Sequence, residues 1–147
     1  IPVSQVLNAA KIFSDAGVSR LSLADTTGMA NPRAVKNILN ILKSEIKDIP
    51  LGLHLHDTRG LGMVNLMAGM ECGVIYFDTA LGGMGGCPFV KGAAGNIATE
   101  DTVYLMESLG INTGIDIEKV AECSRQVSDF LGRRLPGKMY QQSCRSI

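Results

Sequence analysis

The apolar positions along the chain switch between two spacings. From Val3 to Ala16 they recur at helical intervals, with Val6, Leu7, Ala10 and Phe13 on one face and Gly17 as the stop. Arg20 to Ala24 predicts a short strand, which ends at Asp25-Thr26-Thr27-Gly28. Asn31-Pro32 then opens a second helix as N-cap and first-turn proline; its apolar face is Val35, Ile38, Leu39, Leu42 and Ile46, and Pro50 follows its end. A strand from Leu51 to His56 runs into Asp57-Thr58-Arg59-Gly60. A third helix carries Met63, Leu66, Met67 and Met70 on one face, with Gly73 behind it. Val74 to Phe77 is the third strand, ending at Asp78-Thr79. Beyond a glycine-rich stretch, Thr99 is placed to cap a fourth helix whose first turn holds Glu100 and Asp101, suited to the positive end of the dipole. A last helix is expected from Asp116 to Leu131, burying Ile117, Val120, Ala121, Val127 and Leu131. The tail 133–147 is expected to be loose.

Strand and helix thus alternate as in βαβ units, which form parallel sheets with helices outside and place active sites beyond the carboxyl ends of the strands. Asp25, His54, His56, Asp78 and Cys87 all fall there. Three such strands cannot close an eight-stranded barrel, which takes ~250 residues. The α/β pattern is therefore either an open sheet or the C-terminal portion of a barrel, about three βα units in residues 1–132 with helices after them.

Composition narrows the class. The chain has 147 residues, 46% hydrophobic and 19% charged, enough for one globular core. Its 14 basic and 14 acidic side chains cancel, so no charge footprint points to nucleic acid or an anionic membrane. No apolar run approaches a membrane span, and the N-terminus lacks a signal-peptide layout. Cys72, Cys87, Cys123 and Cys144 show no paired close spacing, which argues against a zinc knuckle or a disulfide framework and for reduced thiols in a cytosol-like compartment.

His54 and His56 are the only histidines, and two-residue alternation on a strand points both imidazoles to one face. Such a pair is either a shared cation site or two satisfied histidines; its place at a strand's carboxyl end favours the cation. With no cysteine cluster, a mixed imidazole, amide and carboxylate set suits Mg²⁺ or Mn²⁺. Asp25 is either a turn aspartate or a carboxylate at the mouth of the site. Asp57 is turned away from the histidines and suits a supporting or turn role. Arg59 is either a solvated arginine or a contact for an anionic substrate. Gly82-Gly83-Met84-Gly85-Gly86-Cys87-Pro88 presents a thiol on a glycine arch, where backbone N–H groups would ease its ionisation. Cys72 and Cys123 lie on predicted helices, where packing explains them. On its own residues, Asn96 beside Gly95 suits a turn as well as a metal-binding amide.

The run Gly82 to Phe89, followed by Gly95-Asn96-Ile97-Ala98-Thr99-Glu100-Asp101, resembles the signature of 3-hydroxy-3-methylglutaryl-CoA (HMG-CoA) lyases. These enzymes belong to a superfamily of metal-dependent lyase and synthase TIM barrels that share a His-x-His strand, here Leu53 to Thr58. Ala24-Asp25-Thr26-Thr27-Gly28 is similar to another of the family's strand ends. The resemblance implies a retro-Claisen cleavage of an acyl-CoA substrate to acetyl-CoA and acetoacetate. It implies a Mg²⁺ or Mn²⁺ ion on His54, His56 and Asn96, with His54 or Asp25 as base and Cys87 as proton donor to the leaving enolate. Gly85, Gly86 and Arg59 would contact substrate. The family also draws an arginine, an aspartate and a glutamate from early strands that this sequence does not contain. The chain alone is therefore expected to be inactive and to work as a homo-oligomer or with a complementing half-barrel, in the cytoplasm or, in a eukaryote, the mitochondrial matrix. Two rivals remain. The condensing synthases of the superfamily carry a glutamate-bearing loop where this chain has Gly92-Ala93-Ala94-Gly95-Asn96. A non-catalytic half-barrel would act only in assembly.

Overall fold

The structure, a computed structural model, describes residues 1–46, 49–86 and 95–142; Cys87 and Cys144 lie outside them. The elements are α1 (Val3–Asp15), β1 (Leu21–Asp25), α2 (Pro32–Glu45), β2 (Leu51–Leu55), α3 (Gly62–Glu71), β3 (Tyr76–Asp78), α4 (Thr99–Ser108) and α5 (Ile117–Leu131). Short 3-10 turns lie at Leu81–Gly83 and Met139–Gln141.

The strands form a parallel sheet in the order β1-β2-β3, with Ala24 in register with His54 and His54 with Asp78. Alternation sorts the side chains. Leu51, Leu53 and Leu55 of the central strand turn toward Val35, Leu39, Leu42 and Leu66 and form the core with them. Ser22, Ala24, Tyr76 and Asp78 lie on the other face and are exposed, with His54 half-buried among them. One face of the sheet is thus packed on helices, and the other is open.

Local chemistry explains most boundaries. Asn31 Oδ1 accepts the Ala34 N–H at 3.0 Å, with Pro32 in the first turn of α2. Asp116 caps α5 through Lys119 N–H, and Gly132 ends it in the left-handed conformation. The Lys119 side chain, and then its backbone N–H, hold the Asp116 carboxyl below its usual range.

Several expectations need correction. β3 starts at Tyr76, not Val74, because Val74 N–H is still bonded to Gly69 O in the exit turn of α3. Thr99 does not cap α4: Ala98 is the cap residue, and the Thr99 hydroxyl pairs with that of Thr79 at 2.8 Å. Phe13 is 53% exposed, since α1 rests on α2 through Leu7 and Ala10 while Phe13 overhangs the groove beside β1. Leu131 is also exposed, at the end of α5 beyond its packed stretch around Ala121 and Ser124. The segment after Gly132 is not loose through residue 142. Leu135 and Tyr140 are buried with Ala121, and the Tyr140 hydroxyl accepts from Leu135 N–H and donates to Leu135 O. Asp101 accepts the N–H groups of Lys138 and Met139.

Candidate active site at the carboxyl ends of the strands

The residues that follow β1, β2 and β3 converge as the βαβ rhythm predicts. His54 and His56 project to the same side, with ring centroids 5.1 Å apart and planes at 78°. His56 is 7% exposed, and its Nδ1 lies 2.9 Å from the backbone carbonyl of Asp25. A carbonyl only accepts, so Nδ1 carries the hydrogen and the Nε2 lone pair is left for a ligand. Across the sheet, His54 Nδ1 stands 3.8 Å from Asp78 Oδ2, which also accepts the Ser22 hydroxyl at 2.9 Å.

Asn96 reaches the pair through the backbone. It forms an antiparallel bridge with His56, flanked by Asp57 N–H to Gly95 O and Ile97 N–H to Leu55 O. Its Nδ2 donates to Met84 O at 2.9 Å, while its Oδ1 is buried with no partner among the described residues. An orphaned amide oxygen costs ~1–3 kcal/mol of desolvation unless something fills it. A hard cation would fill it, and two imidazoles and an amide oxygen are a donor set such a cation accepts. The chain's residues therefore fit a divalent ion. Among the described residues, no group of three or more His, Cys, Asp and Glu side chains is placed to hold a metal.

The other candidates take supporting positions. Asp25 receives Met29 N–H on Oδ1 and Ala30 N–H on Oδ2, so its carboxylate orders the loop after β1 while its carbonyl orients His56. Asp57 Oδ1 accepts Gly62 N–H at 2.7 Å and anchors the start of α3. Arg59 donates to Thr27 O at 2.8 Å and ties the two loops together. Gly85 has φ +120°, and a Cβ there would lie 2.6 Å from Asn96 Nδ2; Gly86 is exposed, and a Cβ on it would meet nothing within 4 Å. Cys87, singled out as the thiol of the arch, lies outside the described residues.

Some contributors were missed in the sequence. Glu100, assigned to the helix dipole, is fully buried and accepts Gly82 N–H at 3.1 Å. The signal was its helical spacing from buried Val103 and Met106, which places it on the inward stripe. Asn65 is also fully buried and donates to Ala30 O, bracing the loop that Asp25 orders. It lies next to Leu66 on the inward face of α3.

Residues 1–127 match the HMGL-like family. The chain is 37% identical over 141 residues to a hydroxymethylglutaryl-CoA lyase of Bacillus subtilis, covering 96% of this chain and 47% of that protein. It is 36% identical over 145 residues to the mitochondrial hydroxymethylglutaryl-CoA lyase of Homo sapiens, covering 99% of this chain and 45% of that one. Among solved structures, the HMG-CoA lyase of Acinetobacter baumannii in complex with coenzyme A and 3-methylmalate superposes with a TM-score of 0.91 at 42% identity, covering 99% of this chain and 48% of that one. The chain spans about half the length of the relatives it matches. Its α/β sheet corresponds to part of their TIM barrel, with the open face as the barrel interior. By sequence and by fold, the chain belongs to the HMGL-like family.

Proposed function

We propose that this chain supplies the His-His-Asn half of a divalent-metal-dependent carbon–carbon lyase site that cleaves 3-hydroxy-3-methylglutaryl-CoA to acetyl-CoA and acetoacetate. The observation that carries the reading is the pair of imidazoles 5.1 Å apart with Asn96 bridged to the backbone of His56, its Oδ1 buried without a partner among the described residues. His54, His56 and Asn96 would hold Mg²⁺ or Mn²⁺. When bound, the ion supplies Lewis acidity and a template for the substrate's hydroxyl and carboxylate oxygens.

The chain's own residues divide the remaining work. His54 and Asp25 are the two candidate bases; each Asp25 oxygen accepts one loop N–H and keeps a second lone pair. Asp78 faces His54 Nδ1 and favours the proton there, leaving the Nε2 lone pair as the working one. One lone pair cannot grip a cation and take the hydroxyl proton at once, so the two duties assigned to His54 compete. Cys87 is the donor that returns a proton to the acetyl-CoA enolate, a role resting on the family resemblance alone. Arg59 and Asp25 hold the surrounding loops together. Gly86 is left open to substrate and Gly85 makes room for Asn96.

A half-barrel that acts only in assembly has its own support in the exposed inner face and in an apolar groove of about 520 Å³ between α1, β1 and α2. Both readings are tested by assaying acetoacetate release from HMG-CoA with Mn²⁺. The chain is assayed alone and after co-expression with the N-terminal half of the Bacillus subtilis lyase. Activity in the pair that is lost on His56→Asn supports the lyase. An assembled pair that binds Mn²⁺ and does not cleave HMG-CoA leaves the assembly role and refutes the lyase.

A further inference from the structure

The residues after Gly132 reach under the root of the glycine arch. A Cβ on Gly82 would collide with the side chain of Leu135, and one on Gly83 would lie 3.4 Å from Pro136 Cβ. Gly82 is held on both sides of its backbone: its N–H donates to Glu100 Oε2 at 3.1 Å, and its carbonyl accepts Gly137 N–H at 2.9 Å. Leu135 in turn is locked by Tyr140, whose hydroxyl accepts Leu135 N–H at 2.8 Å and donates to Leu135 O at 3.2 Å. Asp101 pins the turn between them through the N–H groups of Lys138 and Met139. This segment is thus a closed strap, and its apolar contact falls on Gly82.

The strap connects to the site through two residues. The Gly83 and Met84 N–H groups close the turn at Leu81–Gly83 onto Ala80 O and Leu81 O, and this sets the direction of the Met84 carbonyl. That carbonyl accepts Asn96 Nδ2, the bond that decides where Asn96 Oδ1 points. Gly83 also approaches the backbone of Asn96, where a Cβ would lie 3.1 Å from the carbonyl oxygen. We propose that Leu135 and Tyr140 are positioning residues for the Asn96 amide, acting through Gly82, Gly83 and Met84. The C-terminal strap would thereby set the oxygen donor of the cation site. The inference rests on the reading of Asn96 as a cation ligand.

The test uses the chain co-expressed with the N-terminal half of the Bacillus subtilis lyase, with Mn²⁺ as the probe. Free Mn²⁺ is followed by electron paramagnetic resonance during titration, and hydrogen exchange is followed over peptide 80–86. Leu135→Ala and Tyr140→Phe are expected to weaken Mn²⁺ binding by about tenfold, the lower end of what removing an outer support costs a metal site. Both are expected to speed exchange over 80–86, and Leu135→Met to restore both readouts. Val35→Ala, a core truncation in α2 away from the strap, should lower stability and leave both readouts unchanged. Mn²⁺ affinity and exchange unaltered in Leu135→Ala would overturn the proposal; if that variant does not fold, Tyr140→Phe decides by the same readouts. If that assembled pair, with the chain unsubstituted, does not bind Mn²⁺, the ligand role of Asn96 fails and the proposal fails with it. Faster exchange in the strap variants would then still show the strap holding the arch root.

Discussion

Gly85 and Gly86 are neighbours of the same type, yet the structure assigns them different burdens, and exchanging each for alanine measures the difference. Gly85 holds φ +120°, outside the range that an alanine adopts without strain, while Gly86 has no such constraint. Strain of this kind costs about 1–3 kcal/mol. The added Cβ at 85 would also stand 2.6 Å from Asn96 Nδ2, where ordinary contact begins near 3.4 Å, so the amide must move. Moving it breaks the bond to Met84 O, a further ~0.5–1.5 kcal/mol. Gly85→Ala is therefore expected to cost roughly 2–4 kcal/mol in urea-induced unfolding, read as a shifted midpoint with an unchanged slope. The displaced Oδ1 is also expected to weaken Mn²⁺ binding by about tenfold or more. Gly86→Ala meets nothing within 4 Å and should change neither quantity measurably. Equal behaviour of the two variants would refute the placement of the arch against Asn96, and with it the account of how the amide is aimed.

Other expectations follow from the same contacts. Asp78→Asn removes the carboxylate that faces His54 while keeping a partner for the Ser22 hydroxyl. Nitrogen chemical shifts of the imidazole should then show His54 losing its preference for the Nδ1-protonated tautomer, with His56, held by a backbone carbonyl, unaffected. The Asp116 carboxyl is held below its usual range by Lys119, so its contribution to stability is present above the unfolded-state value and disappears as pH falls through the folded one. Asp116→Asn keeps a good cap and removes this titration, so the variant should be less stable than the parent at neutral pH, match it once pH has fallen through the folded-state value, and show a shallower loss of stability in between, read from unfolding curves across that range.

The parts of the fold visible in the sequence are those set by local rules. The face Val35, Ile38, Leu39, Leu42 of α2 is continuous and opens on Asn31-Pro32, and the helix appears where that pattern places it. Alternation in Leu51–His56 correctly puts both imidazoles on one side, because a strand leaves a side chain no other choice. What was not legible depends on contacts between distant segments. Arg133 and Arg134 make the tail look solvated, while Leu135 and Tyr140 find a buried seat that only the packed α5 and the arch create. Asp25 ends its strand as expected, but only the folded loop shows that its two oxygens accept the Met29 and Ala30 N–H groups. Thr99 failed as a cap for the same reason: a better partner, Thr79, comes from another segment.

If His54, His56 and Asn96 hold a cation as proposed, their chemistry also says what further ligands would add. Two imidazoles and an amide are neutral ligands, and a divalent cation taken out of water by neutral ligands alone keeps its full charge uncompensated. Among the described carboxylates, Asp25 is oriented by two loop N–H groups, Asp57 by the start of α3 and Glu100 by Gly82, so their hydrogen bonds fix them in supporting positions. Asp78 is the exception, on the open inner face beside His54, and it already shares one oxygen with Ser22. Neutral donors, each aimed by a backbone carbonyl or a nearby carboxylate, account for orientation but not for charge. Grip on the cation should therefore rise steeply when carboxylates enter from strands that close the open face, while the orientation of His56 and Asn96 stays as it is. On the proposed reading, the residues described would carry the geometry of the site and leave further charge compensation to carboxylates outside them.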